Sequence, residues 1–422
     1  MVVGWSEKIF GDLFNFSGGL SASRADLSVR GYPYLHYGDI HGSTKTFVDV
    51  CIDSNIPCLD ININKVSNTS LLNDGDVVFV DASEDDDGAS RHVVIRNKDG
   101  VPFISGLHTI VAKAKTDELD NKFREFCFQT NHIKSQFKFY SVGTKVTGIS
   151  KANIAKIALV FPTDIKEQRR IAKALSDTDE LISALEKLIS KKRAIKQGTM
   201  QELLTGKHRL DGFKDEWVEN TLESLCYLIT KQTGFDYTAT IKPSLINEFR
   251  YGYIPFIQNK DFEGEKINFK TDFYVPMEIA TQFSKILLNE PCLLVSISGR
   301  IGNVAYFNGS DIAFVGGAVG VAKFHMSKMA KWVMLYLQSP IGQRMIFANE
   351  KAGAQHNLTI EDMRNFIIPC PTLEEQTAIA SILSDMDAEI DALKTKLDKL
   401  RNIKKGMMSE LLTGRIRLLE EV

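Results

Sequence analysis

Apolar residues recur at alternating steps of three and four positions along two long stretches of this chain. In the second stretch they form a single series, which runs through Ile379, Leu383, Met386, Ile390, Leu393, Leu397 and Leu400. The first stretch shows the same pattern at Ile171, Leu175, Ile182, Leu185 and Ile189, with Thr178 in one of the places. Such spacing puts the side chains on one narrow face of an α-helix, as in a coiled coil. The pattern therefore predicts two long helices.

The two stretches are copies of one sequence. Residues 164–206 align with residues 372–414 without a gap, at a constant shift of 208 positions. Both copies carry a Glu-Gln pair near the start, at Glu167 and Glu375, and both end in Glu-Leu-Leu-Thr-Gly. A side-chain cap is expected at the start of each helix and a left-handed glycine at its end. Unbroken, each helix would be roughly 60 Å long.

An apolar stripe needs a partner that removes it from water. The simplest partner for each helix is the other helix, and the narrow, duplicated stripe favours this pairing. The alternative is that each helix packs only on its neighbouring globular segment, as most amphipathic helices do. The stripe alone does not fix the direction of the pair. The alternation of globular segments and helices favours an antiparallel pair that separates two domains.

The remaining sequence indicates two strand-rich globular segments. Short apolar runs such as Val77–Val80 and Thr109–Val111 alternate with turn residues, which is typical of strands. The second segment repeats marks of the first, for example Leu287–Glu290 for Leu71–Asp74. We therefore predict an α+β fold with a pseudo-two-fold internal repeat. The expected parts are a domain at 1–160, a helical spacer at 161–210, a domain at 211–368 and a helical spacer at 369–422.

Composition narrows the function only a little. The 422 residues are 44% hydrophobic, which suffices for two cores, and a net charge of −2 counts mildly against a nucleic-acid binder. The six cysteines show no paired spacing, so buried free thiols of a cytoplasmic protein are expected. Neither a signal-peptide pattern nor an apolar run long enough to cross a membrane is apparent.

A search for catalytic motifs finds little. The chain lacks a phosphate-binding GxxxxGK[ST] loop, a GxGxxG turn, and the HExxH and GxSxG motifs. The Asn/Asp-Pro-Pro-aromatic motif of amino-methyltransferases is also missing. The acidic stretch 84–88 lacks the spacing of a calcium-binding loop and is expected to be a surface loop. We expect a chain that recognises and scaffolds, without a catalytic residue, bound cofactor or metal of its own.

These features resemble the specificity subunit of type I restriction–modification enzymes. The resemblance covers essentially the whole chain and rests on the paired helices, each with Glu-Gln near its start and Glu-Leu-Leu-Thr-Gly at its end. The helices follow Phe161-Pro162 and Ile367-Ile368-Pro369. One departure is the stretch 143–149, which is less polar than its counterpart 353–359.

The resemblance implies a function as well as a fold. Each globular segment would be a target recognition domain that reads one half of a split, double-stranded DNA sequence. The helices would set the separation of the domains and bind two DNA methyltransferase subunits. S-adenosylmethionine would belong to those subunits, while ATP and magnesium would belong to a restriction and translocase subunit. None of these cofactors is expected on this chain.

Candidate DNA-binding residues follow from the chemistry of base recognition, in which Arg and Lys suit guanine and Asn and Gln suit adenine. They cluster at corresponding places in the two segments, although any single one is also an ordinary surface residue. In the second segment they are Gln258, Asn259, Lys260, Ser298, Arg300, Gln355, His356 and Asn357. In the first segment they are His36, Tyr37, Ser83, Arg91, His92, Thr144 and Lys145, with Lys45, Lys134 and Lys138 as phosphate contacts.

Basic residues near the ends of both helices allow more than one interpretation. They are Lys191, Lys192, Arg193 and Lys196 in the first helix, and Arg401, Lys404 and Lys405 in the second. A solvated helix face, favoured by the helix dipole, would explain them. A track for DNA phosphates or a contact with the methyltransferase subunit would explain them as well.

Two other functions compete with the DNA-recognising subunit. A fused restriction–modification enzyme would need the catalytic motifs that this chain lacks. A coiled-coil adaptor that joins two proteins and never touches DNA would also fit the repeat and the nearly neutral charge. DNA affinity that falls steeply with salt would separate the adaptor from the DNA reader, because phosphate contacts release counterions.

A rigid spacer makes a prediction about the DNA target. The target should consist of two half-sites about one helical turn (~34 Å) or somewhat more apart, with unread bases between them. Inserting four residues near Gly198 lengthens the helix by about one turn, ~5.4 Å, and should widen the gap by one or two base pairs. The measurement is the methylated motif of the variant, and an unchanged gap would contradict the spacer model.

Overall fold

The computed structural model describes residues 2–43, 45–83, 90–143, 146–232, 236–348 and 357–419. The chain divides into two compact units. Unit 1 comprises residues 1–186 and 395–422, and unit 2 comprises residues 187–394. Each unit therefore contains one globular segment together with parts of both long helices.

Unit 1 is built mainly of short strands. They are β1 (Trp5–Ile9), β2 (Phe14–Gly18), β3 (Leu27–Ser28), β4 (Tyr32–Leu35), β5 (Phe47–Asp49), β6 (Cys58–Leu59), β7 (Val77–Val80), β8 (Ala82–Ser83), β9 (His92–Arg96), β10 (Ile104–Ser105), β11 (Thr109–Ala114), β12 (Thr147–Gly148) and β13 (Ala158–Pro162). The helices are α1 (Phe10–Leu13), α2 (Tyr37–Gly42), α3 (Asn121–Cys127), α4 (Asn131–Tyr140), α5 (Lys151–Ile154) and the first part of α6 (Ile165–Leu203). Single 3₁₀ turns lie at Arg24–Asp26 and Ile63–Lys65.

The central sheet of unit 1 has the order β2-β11-β7-β9-β5, and a second sheet has the order β10-β4-β6-β3. Successive side chains of a strand point to opposite faces. Val77 and Phe79 accordingly join one core cluster, and Val78 and Val80 join another. Both faces are covered, which explains why this strand reads as a continuous apolar run rather than an alternating one.

Unit 2 repeats this plan. Its strands are β14 (Val218–Thr221), β15 (Cys226–Lys231), β16 (Tyr253–Ile257), β17 (Phe262–Glu263), β18 (Lys266–Ile267), β19 (Tyr274–Pro276), β20 (Leu287–Leu288), β21 (Cys292–Ser296), β22 (Val304–Phe307), β23 (Ala313–Val315), β24 (Val319–Phe324) and β25 (Ile367–Cys370). The helices are α7 (Leu222–Leu225), α8 (Lys242–Ser244), α9 (Met277–Ala280), α10 (Met329–Gln338), α11 (Pro340–Ala348), α12 (Ile360–Arg364) and α13 (Leu373–Leu411). Irregular turns lie at Tyr237–Ile241, Asn259–Asp261 and Thr281–Phe283.

The sheets of unit 2 have the orders β15-β24-β21-β22 and β19-β16-β23-β20. Leu293 and Val295 of β21 pack in the same cluster as Trp332 of α10, whereas Leu294 packs with Phe314 on the other face. The predicted α+β fold with repeated strand-rich segments and long helices is confirmed. The predicted boundaries of the four parts stay a prediction.

The long helices run antiparallel within each unit. In unit 1, Lys404 of α13 pairs with Asp179 of α6 at 2.6 Å, and Arg401 pairs with Glu186 at 2.7 Å. The partner number rises on α6 as it falls on α13, as an antiparallel pair requires. The stripe of α6 in this unit is buried at Ile171, Leu175 and Leu185 and partly buried at Thr178 and Ile182.

Unit 2 contains the equivalent helix pair. Lys196 pairs with Asp387 at 2.6 Å and Lys192 with Glu389 at 2.7 Å. Lys196 and Lys404 occupy the same position of the repeat, and so do their partners. These lysines and Arg401 form ion pairs across the helix pair, an arrangement that neither interpretation of the basic residues anticipated. Lys191, Arg193 and Lys405 are exposed, and for them both interpretations remain.

An ion pair joins the start of one long helix to the segment that follows the end of the other. In unit 1, the Nε and Nη2 atoms of Arg417 donate to Glu167 at 2.5 and 2.6 Å. The Glu167 carboxylate is fully buried, and the guanidinium lies 6.0 Å from the centre of the Trp5 ring. We call this contact the latch of unit 1. It gives a structural role to the glutamate of the Glu-Gln pair at the start of the first copy.

Unit 2 has a matching latch. Arg209 donates to Glu375 at 2.7 Å through both Nε and Nη2, and Trp217 adds a hydrogen bond from Nε1 at 3.2 Å. The glycine that ends each helix turns the chain towards the latch. Gly206 and Gly414 have φ values of 69° and 71°, which confirms the predicted left-handed caps.

The core of unit 1 is aromatic and includes a histidine. The ring of His92 on β9 lies 5.5 Å from the centre of Phe79 and 5.3 Å from that of Phe128. The side chain is buried, and burial lowers the pKa of His92 to about 4. His92 is thus a neutral core residue, which removes it from the candidate DNA contacts.

Most of the cysteines are buried, as the sequence predicts. Cys127, Cys226, Cys292 and Cys370 are buried free thiols as expected, whereas Cys51 is exposed and Cys58 is partly exposed. Within the described ranges, no helix is long and apolar enough to cross a membrane.

The latch predicts an asymmetric effect of mutation. Arg417→Ala leaves the buried Glu167 carboxylate without its partner, and we expect a loss of about 3 kcal/mol in the free energy of unfolding. This lies at the lower end for a broken buried pair because the guanidinium is partly exposed. Glu167→Gln leaves only that partly exposed group unpaired and should cost less. Urea unfolding of both variants measures the difference, and equal losses would contradict this account.

The buried histidine predicts a pH dependence of stability. Between the ordinary pKa of 6.5 and the folded value of about 4, the unfolded chain binds a proton that the folded chain excludes. The contribution of neutral His92 is therefore complete above about pH 6.5 and declines as the pH falls, by about 2 kcal/mol at pH 5. His92→Phe keeps a ring in the core and should flatten this decline. Urea unfolding at pH 7 and pH 5 tests it, with the wild-type protein as the reference.

Candidate nucleic-acid interface

Equivalent backbone hydrogen bonds bring the loops of each globular segment together, and we call this set of bonds the frame. In unit 1, the nitrogen of Asp81 donates to the carbonyl of His108 at 3.1 Å, and the carbonyl of Asp81 accepts from Ile149 at 2.8 Å. In unit 2, Ile297 makes the same bonds with Ala318 and Leu358, each at 2.9 Å. In both units three loops therefore meet at one point: the loop after β7 or β21, the turn before β11 or β24, and the loop before α5 or α12.

A fourth segment joins each frame, the one that follows β4 or β16. β10 pairs in parallel with β4, and β23 pairs in parallel with β16. The residues that follow β4 and β16 are consequently held beside the turns that carry His108 and Ala318. We call these meeting points loop cluster 1 and loop cluster 2.

Loop cluster 2 brings together several of the predicted site residues. The side-chain amide of Asn259 donates to the carbonyl of Ser298 at 2.9 Å. Ser298 in turn forms an antiparallel bridge with Asn357, whose side chain is exposed. The nitrogen of Gln258 donates to Asp261 at 2.8 Å, which fixes the turn at the start of this segment. Arg300 follows Ser298 closely and is exposed.

Loop cluster 1 is aromatic and rich in histidine. The ring centre of Tyr37 lies 4.5 Å from that of His36, 6.1 Å from that of His41 and 5.4 Å from that of His108. The guanidinium of Arg91 donates to the carbonyl of His41. These groups border an open concavity of about 660 Å³, lined by Tyr37, Gly38, His41, Ala82, Ser83, Arg91, His108 and Val146.

Some predicted contacts occupy other roles. The Nδ1 atom of His36 accepts from the nitrogen of Gly38 at 3.1 Å, and burial lowers the pKa of His36. Its ring therefore caps α2 as a neutral side chain. Lys45 pairs with Asp53 at 2.5 Å. Lys260 pairs with Asp272 and lies 5.9 Å from the centre of the Phe273 ring.

The remaining candidates divide between exposed residues and residues that the structure leaves out. Lys134 and Lys138 lie exposed on α4, outside the concavity of loop cluster 1. Thr144, Lys145, Gln355, His356 and the acidic stretch 84–88 lie outside the described residues.

Sequence reasoning missed His41 and His108. His41 lies one turn along α2 from Tyr37, a spacing of four residues that puts both on one helix face. That signal was available in the sequence. His108 is different, because its place depends on a left-handed backbone with a φ of 57° at a non-glycine residue. Sequence pattern does not reveal such a conformation.

The two loop clusters offer different chemistry on one frame. Cluster 2 presents amide side chains and Arg300, and such groups pair with the edges of adenine and guanine in the major groove. Cluster 1 presents imidazole, phenol and guanidinium groups, and Arg91 is its guanidinium. A shared frame with different side chains suits the recognition of two different short sequences.

The comparison with known protein families agrees with this geometry. The model of the type I restriction modification DNA specificity domain matches residues 2–197 and again residues 214–402. The matches therefore fall on the two repeats and cover most of the chain.

Curated relatives extend the likeness over most of their own length. The MjaVIII type I restriction enzyme specificity subunit of Methanocaldococcus jannaschii is 25% identical over 369 residues, which cover 84% of this chain and 82% of that protein. The putative MjaX specificity subunit of the same organism is 24% identical over 330 residues, 75% of this chain and 73% of the relative.

Solved structures show the same fold. A type I restriction–modification S subunit from M. genitalium superposes with a TM-score of 0.55 at 15% identity, covering 96% of both chains. A chain from a structure concerned with complex assembly and conformational transition of the type I system gives a TM-score of 0.61 at 15% identity, covering 98% of both. With two family matches, a duplicated frame and paired helices, this chain belongs to the type I restriction modification DNA specificity family.

Proposed function

We propose that this chain reads a bipartite, gapped sequence in double-stranded DNA, with one loop cluster for each half-site. The duplicated frame carries this proposal: equivalent backbone hydrogen bonds hold Asp81 in unit 1 and Ile297 in unit 2, while the side chains around them differ. A protein that reads two half-sites needs a constant scaffold with variable contacts, since phosphate contacts position the protein and base contacts specify the sequence.

The half-site residues follow from the clusters. For the second unit we propose Gln258, Asn259, Ser298, Arg300 and Asn357. For the first unit we propose Tyr37, Ser83 and Arg91. Thr144, Lys145, Gln355 and His356 stay predictions from the sequence, and Lys134 and Lys138 stay candidate phosphate contacts. Lys45 and Lys260 are left out of the proposal because both are engaged in ion pairs.

The partners and cofactors belong to the same proposal. The curated relatives are specificity subunits of type I restriction enzymes, so this chain is expected to direct other subunits to DNA. We expect two DNA methyltransferase subunits that use S-adenosylmethionine, and a restriction and translocase subunit that uses ATP and magnesium. We expect the complex to act in the cytoplasm, with catalysis confined to the partners.

The antiparallel helix pair supports a role as spacer and platform. Ion pairs hold α6 to α13 in both units, for example Lys196 to Asp387 and Lys404 to Asp179. A chain that only joined two proteins would need the helices but not the duplicated loop clusters. The clusters thus favour the DNA reader over the adaptor. An affinity for DNA that is steeply salt-dependent would distinguish them directly.

The proposal is tested by the methylation pattern of DNA from cells that express this chain with its modification subunit. We expect methylated adenines in one gapped motif. Asn259→Ala should weaken or relax only one half of the motif, and Arg91→Ala only the other, because each loses contacts in one cluster. Each lost base contact should reduce discrimination by roughly 5- to 150-fold.

Lys285→Ala serves as the matched control, because Lys285 is an exposed residue of the second segment outside loop cluster 2. Its motif should equal that of the wild-type protein. An active modification subunit that yields no new motif with wild-type chain would contradict the proposal. A motif in which Asn259→Ala and Arg91→Ala alter the same half would contradict the assignment of one cluster to each half-site.

A further inference from the structure

The turn between β10 and β11 contains His108, of which only the backbone carbonyl takes part in the frame. His108 has a φ of 57°, and Ala318 at the corresponding turn of unit 2 has a φ of 64°. Both carbonyls accept equivalent backbone bonds, from Asp81 and from Ile297. The left-handed conformation therefore belongs to the frame, whereas the side chain at this position varies.

A histidine at this left-handed turn is unusual. Non-glycine residues are uncommon in the left-handed region, and a residue kept there invites a functional explanation. The imidazole of His108 is about half exposed at the concavity of loop cluster 1. Its backbone role could be filled by glycine, so the ring itself calls for an explanation.

Two neighbours fix the orientation of this ring. The Nδ1 atom of His108 lies 3.2 Å from Oδ1 of Asp81, and the ring meets that of Tyr37 edge-on at 5.4 Å between centres. A carboxylate only accepts hydrogen bonds, so Nδ1 is the donor in this contact. In the neutral ring this leaves Nε2 as an acceptor. An oriented acceptor at the edge of a concavity is suited to a donor on a ligand.

The geometry points to His108 as a specificity-determining residue of the first half-site, whose Nε2 accepts a hydrogen bond from the exocyclic amino group of a base. In the major groove the bases that offer such a donor are adenine, through N6, and cytosine, through N4. This inference rests on the proposed function and deepens it. It adds one base contact and states which chemical group of the DNA that contact reads.

The counterpart in unit 2 supplies the contrast. Ala318 is partly exposed at the same left-handed turn and has no polar side-chain atom. The second half-site is accordingly not read through an amino group at this position. Equivalent turns of the two units thus present different side chains to the DNA, His108 in the first and Ala318 in the second.

The test begins with wild-type chain and His108→Gly, each co-expressed with the modification subunit. Glycine adopts a positive φ readily, so the variant should fold and assemble. We expect its methylated motif to become degenerate at one position of one half-site, with the other half unchanged. Ala318→Gly makes the same change of backbone freedom in loop cluster 2 without removing a polar group, and it should leave the second half-site as in the wild-type protein.

A second measurement identifies the group that is read. Binding of the purified complex is measured on the cognate duplex and on a duplex whose base at that position lacks only its amino group, purine for adenine or 2-pyrimidinone for cytosine. Wild-type complex should bind the modified duplex about tenfold more weakly. The His108→Gly complex should bind both duplexes equally, since the group that senses the amine is gone.

The outcomes separate this inference from the proposed function. A gapped motif that is identical for wild-type chain and His108→Gly overturns the inference and leaves the proposed function standing. Equal weakening on every duplex shows a phosphate or structural role and also overturns it. Failure of the wild-type chain to produce any gapped motif overturns both. If His108→Gly does not assemble, His108→Ala takes its place, because Ala318 already occupies the equivalent left-handed turn of unit 2 and alanine carries no polar side-chain group.

Discussion

The buried ion pair between a helix start and the segment beyond the other helix is the contact on which the arrangement of this protein depends. Glu167 accepts from Arg417 in unit 1, and Glu375 accepts from Arg209 in unit 2. Each carboxylate is fully buried, so an unpaired one would be strongly destabilising. The latch therefore ties each globular segment to both long helices. This connection adds to the apolar stripes and to the ion pairs between α6 and α13, such as Lys196 with Asp387 and Lys404 with Asp179.

The loop clusters also depend on contacts that the two units have in common. Backbone hydrogen bonds, rather than side chains, bring the loops together around Asp81 in one unit and Ile297 in the other. Backbone groups are present at every position except the donor of proline, so a frame made of them survives changes of side chain. Loop cluster 1 is accordingly aromatic and rich in histidine, whereas loop cluster 2 carries amide groups. This independence of frame and contact gives a physical basis for reading two different half-sites with one duplicated fold.

Several features were predictable because they depend on local periodicity or on duplication. The stripe through Ile171 and Ile379 predicted the long helices, and the repeat predicted a left-handed glycine at the end of both. Val77–Val80 predicted a strand. The candidate site was only partly predictable. Tyr37 and Asn259 lie in loop clusters 1 and 2, and their role in DNA binding stays a prediction. His92 is instead a core residue, because alternate side chains of β9 face opposite sides and its ring faces the aromatic cluster. His108 was missed because its position depends on one left-handed residue.

By itself the sequence determined the family, the duplication, the helices and their apolar faces, since all of these are repeated patterns along the chain. The tertiary structure alone decided the partners of charged residues. Lys196 and Lys404, which read as a basic surface, instead pair with Asp387 and Asp179 on the opposite helix. It also decided which of the histidines are buried and which line the concavity. The physical reason is that charge and aromatic contacts depend on segments that lie far apart in the chain, and no local pattern encodes where those segments meet.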